Sequence, residues 1–176
     1  YYLDGLKYFK KSIDKSPESS LANQARFFIG KMHEEKKRYP QAVNYYATLV
    51  KQFGAGEFAE RAAWQLGWLN YTKGDFQKSR DYFMSSAQRY PSGLFIESSM
   101  FWAAKSYEKL GYKELAQELY HDTNTRFPYT YYGIRSGEKL IDKKVMLSKN
   151  KNSAIPLKKP TLSSQEQFHY WHGVEL

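Results

Sequence analysis

The chain has 176 residues, 41% hydrophobic and 26% charged, which suits one domain or a short repeat array with a buried core. Its 16 Tyr, 11 Phe and 4 Trp exclude a disordered polypeptide, and the lack of cysteine excludes disulfide frameworks, thiolate zinc sites and cysteine nucleophiles. The net charge of +9 favours acidic partners, and no run approaches the roughly 20 apolar residues of a membrane span.

Helical periodicity predicts a first helix over about 2–15, then pairs at about 19–36 with 39–53, 57–73 with 75–89, and 93–110 with 112–126. An eighth helix is expected over about 129–142. Tight turns at Lys73-Gly74-Asp75 and Leu110-Gly111-Tyr112 join two of the pairs. Residues 1–141 therefore read as a helical array. Residues 142–164, rich in Lys, Asn, Ser and Pro, read as an extended linker, and 165–176 as the start of a further helix. The first helix reads as the second half of a repeat, and Tyr1 is an unusual native start. The segment is expected to be cut from a longer chain whose signal peptide is not included.

The pairs repeat at one period. Gly30, Gly67 and Ala104 are 37 apart, as are Ala42, Ser79 and Ala116, with Gly5 one period earlier. Phe9, Tyr46, Phe83 and Tyr120 form a third column, and Pro17, Gly54, Pro91 and Pro128 a fourth. Small residues mark close helix approach, and the aromatics one turn on fill the space between layers. Pro and Gly end the second helix of each pair.

These columns resemble the tetratricopeptide repeat, whose usual period is about 34 residues. The resemblance implies an all-α helix-hairpin superhelix, an α-solenoid of period 37. A more specific stretch runs from Arg89-Tyr90-Pro91-Ser92-Gly93 through Phe101-Trp102-Ala103-Ala104 to Arg126-Phe127-Pro128 and Tyr131-Tyr132-Gly133. It resembles the helical superstructure of soluble lytic murein transglycosylases. That resemblance implies a periplasmic scaffold that binds peptidoglycan or positions the catalytic domain of the same parent chain. The alternative is a periplasmic protein–protein interaction module of cell-envelope assembly. A cytoplasmic peptide-binding scaffold is a third reading.

Catalysis is not expected from this chain. Glu18-Ser19 falls in an inter-repeat loop and Glu97-Ser98 opens a repeat helix; neither suggests the desolvated pocket a cleavage acid needs. His33-Glu34-Glu35-Lys36-Lys37 lacks the second histidine of a zinc-protease motif. His169 and His172 are three apart and are not read as a metal pair. No metal and no cofactor are expected. Nucleic acid is not expected either: residues 1–140 hold 21 basic and 15 acidic residues, mixed along the helices, and Lys7, Lys10, Lys11 and Lys15 read as a solvated face.

The better candidate is a surface. By the resemblance, the first helix of each pair lines a concave face. That places Gln24, Phe27, Lys31 and Glu34 in one repeat, Arg61, Trp64, Trp68 and Tyr71 in the next, and Ser98, Phe101, Lys105 and Glu108 in the third. Trp64, Trp68 and Tyr71 form one stripe, which either packs between helices or faces the groove. Aromatic faces stack on sugars or hold a peptide, and Lys31, Arg61 and Lys105 can pair with carboxylates.

Overall fold

A computed structural model describes residues 2–54 and 56–147. Among them are eight α-helices and no strand: α1 Tyr2–Lys15, α2 Ser20–Glu35, α3 Tyr39–Gln52, α4 Glu57–Thr72, α5 Phe76–Arg89, α6 Ile96–Lys109, α7 Lys113–Arg126 and α8 Tyr131–Leu147. All eight fall where periodicity places them. α8 runs past its expected end, so residues 142–147 continue a helix rather than begin the linker. The rest of the expected linker and the 165–176 segment lie outside the described residues.

Consecutive helices pack side by side, which is the arrangement of helix hairpins stacked in a row. The first helices of successive pairs, α2, α4, α6 and α8, also touch one another directly. The second helices α3, α5 and α7 lack comparable contact. A row that is tighter along one side curves toward it, so α2, α4 and α6 line the inner face.

Local chemistry sets the turns. Gly74 and Gly111 adopt φ of 80° and 85°, where a side chain is strained. The matching residue of the first hairpin is Lys37 at φ 55°. Side-chain caps start α2 and α5: Ser19 Oγ accepts from the Ala22 amide and Asp75 from the Lys78 amide. α6 has no such cap from its own strand of sequence. Instead the carboxylate of Glu60, 7% exposed, reaches over from α4 and accepts the Phe95 amide at 2.7 Å. Gly93 makes room for it, since a Cβ there would overlap the carboxylate.

Each repeat is joined to the next by three rings. Phe27 of α2 meets Tyr46 of α3 at 5.6 Å between ring centroids, and Phe58 of the next repeat at 5.8 Å. Trp64 meets Phe83 at 6.0 Å and Phe95 at 5.8 Å. Phe101 meets Tyr120 at 5.7 Å and Tyr132 at 5.4 Å. These distances fit favourable aromatic pairs, worth about 0.5–1.5 kcal/mol each beyond area burial. Tyr46, Phe83 and Tyr120 are fully buried. The small column explains the fit: a Cβ on Gly30 would lie 2.5 Å from Tyr46 Cε1, and one on Gly67 2.6 Å from Phe83 Cδ1.

The corner between α7 and α8 has a structural reason for Thr130 and Gly133. Thr130 Oγ1 donates to the Phe127 carbonyl at 3.1 Å and accepts the Gly133 amide at 3.2 Å. A Cβ on Gly133 would overlap the Phe127 carbonyl. Thr130 and Gly133 are the residues this tight corner requires.

Candidate functional site: the inner face

The inner face is built from three rungs, one per repeat. In the first, Glu34 is the hub. Its carboxylate accepts the Tyr46 hydroxyl at 2.8 Å and the Gln65 amide at 2.9 and 3.0 Å, with Lys31 Nζ at 3.5 Å. Tyr46 ties α2 to α3, and Gln65 ties α2 to α4. The third rung repeats the pattern: Tyr120 donates to Glu108 at 3.0 Å and Lys105 pairs with it at 3.2 Å. Burial, then the neighbouring carboxylate, holds the Tyr46 and Tyr120 phenols far above their ordinary range.

The middle rung is aromatic. Trp68 stands where the other repeats have Lys31 and Lys105, Tyr71 where they have glutamate, and Phe83 where they have a buried tyrosine. Trp64, Trp68 and Tyr71 run nearly parallel, with centroids 5.8 and 6.0 Å apart. Trp102 from α6 makes T-shaped contacts with Trp68 at 4.8 Å and Tyr71 at 4.9 Å between centroids. Phe76 meets Tyr71 at 5.3 Å.

The structure thus separates the residues chosen from the sequence. Trp64 and Phe101, both 6% exposed, are apices of the three-ring joints and offer little surface. Phe27 is a half-buried apex of the same kind, and Ser98 is buried. Trp68, Tyr71, Lys31, Lys105, Glu34, Glu108 and Gln24 are half-buried on the inner helices. Arg61 donates to Glu57 through Nε at 3.1 Å and Nη2 at 2.8 Å, and its guanidinium lies 5.7 Å from the Phe95 ring centre. All three cations therefore have a carboxylate neighbour on their own helix. The inner face is a balanced polar and aromatic surface, not an open basic clamp. Trp68 already packs against three rings, near-parallel to Trp64 and Tyr71 and in T-shaped contact with Trp102.

Trp102 and Gln65 belong to this face and were not among the candidates. They occupy one column, 37 apart, and each reaches the preceding inner helix. Twelve-residue spacing was the available signal: Tyr46 follows Glu34, and Tyr120 follows Glu108, whereas Phe83 follows Tyr71. Among the described residues no group of three or more His, Asp or Glu is placed to hold a metal, and no helix is long and apolar enough to cross a membrane.

The tetratricopeptide repeat family matches residues 61–93, from within α4 through the turn and α5 into the loop that follows. No curated protein matches the chain. With eight described helices in hairpin order, the fold is an all-α, tetratricopeptide-like solenoid. Repeats of this type generally serve as scaffolds for protein interaction.

Proposed function

We propose that the chain is an interaction scaffold whose inner face docks a segment of a protein partner. One observation carries the reading: an aromatic rung, Trp68–Tyr71–Trp102, lies between two ion-paired rungs, Lys31–Glu34 and Lys105–Glu108. A polypeptide offers the mixture such a surface matches, an apolar side chain flanked by polar and charged ones. The outer rungs are held by hydrogen bonds between helices and the middle one by ring contacts, so the surface is organised before a partner arrives. Because Trp68 already packs against three rings, the arrangement favours a peptide over a stacked sugar ring.

A second reading places the chain in the periplasm as the peptidoglycan-positioning segment of a lytic transglycosylase. The order of residues from Arg89 to Gly133 favours it. The corner geometry gives Thr130 and Gly133 a folding role as well.

Selection from a displayed random-peptide library tests both. The first reading expects peptides that bind the chain and are lost on Trp68→Ala, with insoluble peptidoglycan failing to sediment it. Sedimentation with peptidoglycan, lost on the same change, would support the second reading and overturn the first.

A further inference from the structure

The junctions between successive hairpins are not alike. Between α3 and α4 the buried faces are apolar. Ala42 and Leu49 of α3 meet Ala62, Leu66 and Leu69 of α4 around Tyr46 in one continuous core. One repeat later the same columns hold Ser79 and Ser86 on α5, and Ser99, Ala103 and Ser106 on α6. All five are buried. The α5–α6 junction has therefore exchanged three leucines for two serines and an alanine. The junction after it, α7–α8, regains a leucine in the column of Leu66: Leu140 packs against the core of Phe101 and Tyr120.

Hydroxyls take over the link between α5 and α6. Ser106 Oγ donates to the Trp102 carbonyl at 2.8 Å, which leaves Ser79 to donate to Ser106 at 3.0 Å. Ser99 Oγ donates to Ser86 at 3.4 Å, long for a hydroxyl pair. The remaining apolar contact is Phe83 with Ala103, grouped with Trp64. Buried leucines hold two helices through the area they remove from water, whereas a hydroxyl pair gives up its own hydration to form. The α5–α6 junction is thus held less strongly than α3–α4.

Its inner side is nonetheless clasped. The Glu60 carboxylate of α4 accepts the Phe95 amide at the start of α6 at 2.7 Å, and Trp64 meets the Phe95 ring at 5.8 Å. Trp102 of α6 meets Trp68 and Tyr71 of α4 at 4.8 and 4.9 Å. None of these contacts involves α5. We propose that α5–α6 is the hinge of the array. The α4–α5 and α6–α7 hairpins rotate about the clasp of Glu60 and Trp102, and α5 parts from α6 while α3 stays closed on α4. Small side chains and hydroxyls that can pair anew allow helices to slide, whereas interlocked leucines resist it. Such a rotation curls the inner face more tightly between the aromatic rung and the Lys105–Glu108 rung. The hinge is a property of the fold and holds whether or not that face docks a peptide.

The absence of cysteine makes the test direct. Lys51, Gln88 and Thr125 are exposed, lie 37 apart in sequence and sit on α3, α5 and α7. Nitroxide labels on Lys51→Cys with Gln88→Cys span the α3–α4 junction, and on Gln88→Cys with Thr125→Cys they span α5–α6. Pulsed electron spin resonance on the full chain measures the distance distribution of each pair. The 88/125 distribution is expected to be about twofold wider than the 51/88 distribution. Leu69→Ala, which takes a leucine out of the α3–α4 junction, should widen the 51/88 distribution toward that of 88/125. Circular dichroism checks that the helices are kept, and Leu69→Val replaces it if they are not. Equal widths, a wider 51/88 distribution in the unaltered junctions, or no widening of 51/88 by the change at Leu69 would each overturn the proposal.

Discussion

Converting the middle repeat to the pattern of its neighbours is a sharp test of the hub arrangement. Phe83 is fully buried and has no carboxylate to receive a hydroxyl, since Tyr71 occupies the position of Glu34 and Glu108. Phe83→Tyr should therefore bury an unpaired hydroxyl and destabilise by about 1–3 kcal/mol. Tyr71→Glu alone should destabilise as well. It removes the ring contacts with Trp68 and Trp102, and it sets a carboxylate near Glu108, which already acts on the Tyr71 phenol. Together the two changes create the Tyr-to-Glu hydrogen bond seen at 2.8 Å in the first repeat and 3.0 Å in the third. A hydrogen bond to a charged group contributes about 1.5–3 kcal/mol net. The double variant should be more stable than the sum of the singles by about that amount. Urea unfolding followed by circular dichroism gives the four free energies of the cycle. A coupling below about 0.5 kcal/mol would refute the claim that the Tyr–Glu pair is what locks each hairpin.

Other expectations follow from single contacts. Lys37→Gly should stabilise by about 1 kcal/mol, because φ 55° strains lysine and suits glycine; a loss in thermal midpoint would contradict this. Glu60→Ala should cost about 1–3 kcal/mol and speed hydrogen exchange at the Phe95 amide, since that amide loses its acceptor. Burial raises the Tyr46 and Tyr120 phenols and pushes Tyr132 up to about 12, so the folded state holds these protons more tightly than the unfolded chain does. Their contribution to stability is complete below about pH 10 and is lost as pH climbs above it. Phenolate absorbance should show Tyr46 and Tyr120 ionising only as the helices unfold.

The repeat columns made the fold legible because they record steric facts. Gly30 and Gly67 are small because a ring lies within reach of any Cβ, and Gly74 and Gly111 are glycine because φ is positive. The inner face was legible only in outline. Periodicity assigns a residue to a helix side, but Trp64 and Trp68 share a side, and only the ring partners Phe83 and Phe95 show that Trp64 closes a joint. The three cations were legible as residues of α2, α4 and α6, but their pairing with Glu34, Glu57 and Glu108 shows only in the folded chain. The Glu60 cap joins residues 35 apart, so no local pattern announces it.

Site-specific photo-cross-linking in the native host tests the central functional claim most directly. A photoreactive phenylalanine analogue is placed at Tyr71 on the inner face, and at Tyr129, 87% exposed at the α7–α8 corner, as the control. The scaffold reading predicts a discrete polypeptide adduct at position 71, absent at 129 and weakened by reversing Lys31 and Lys105 to glutamate. Equal adducts at both positions, or a glycan adduct at 71, would contradict it.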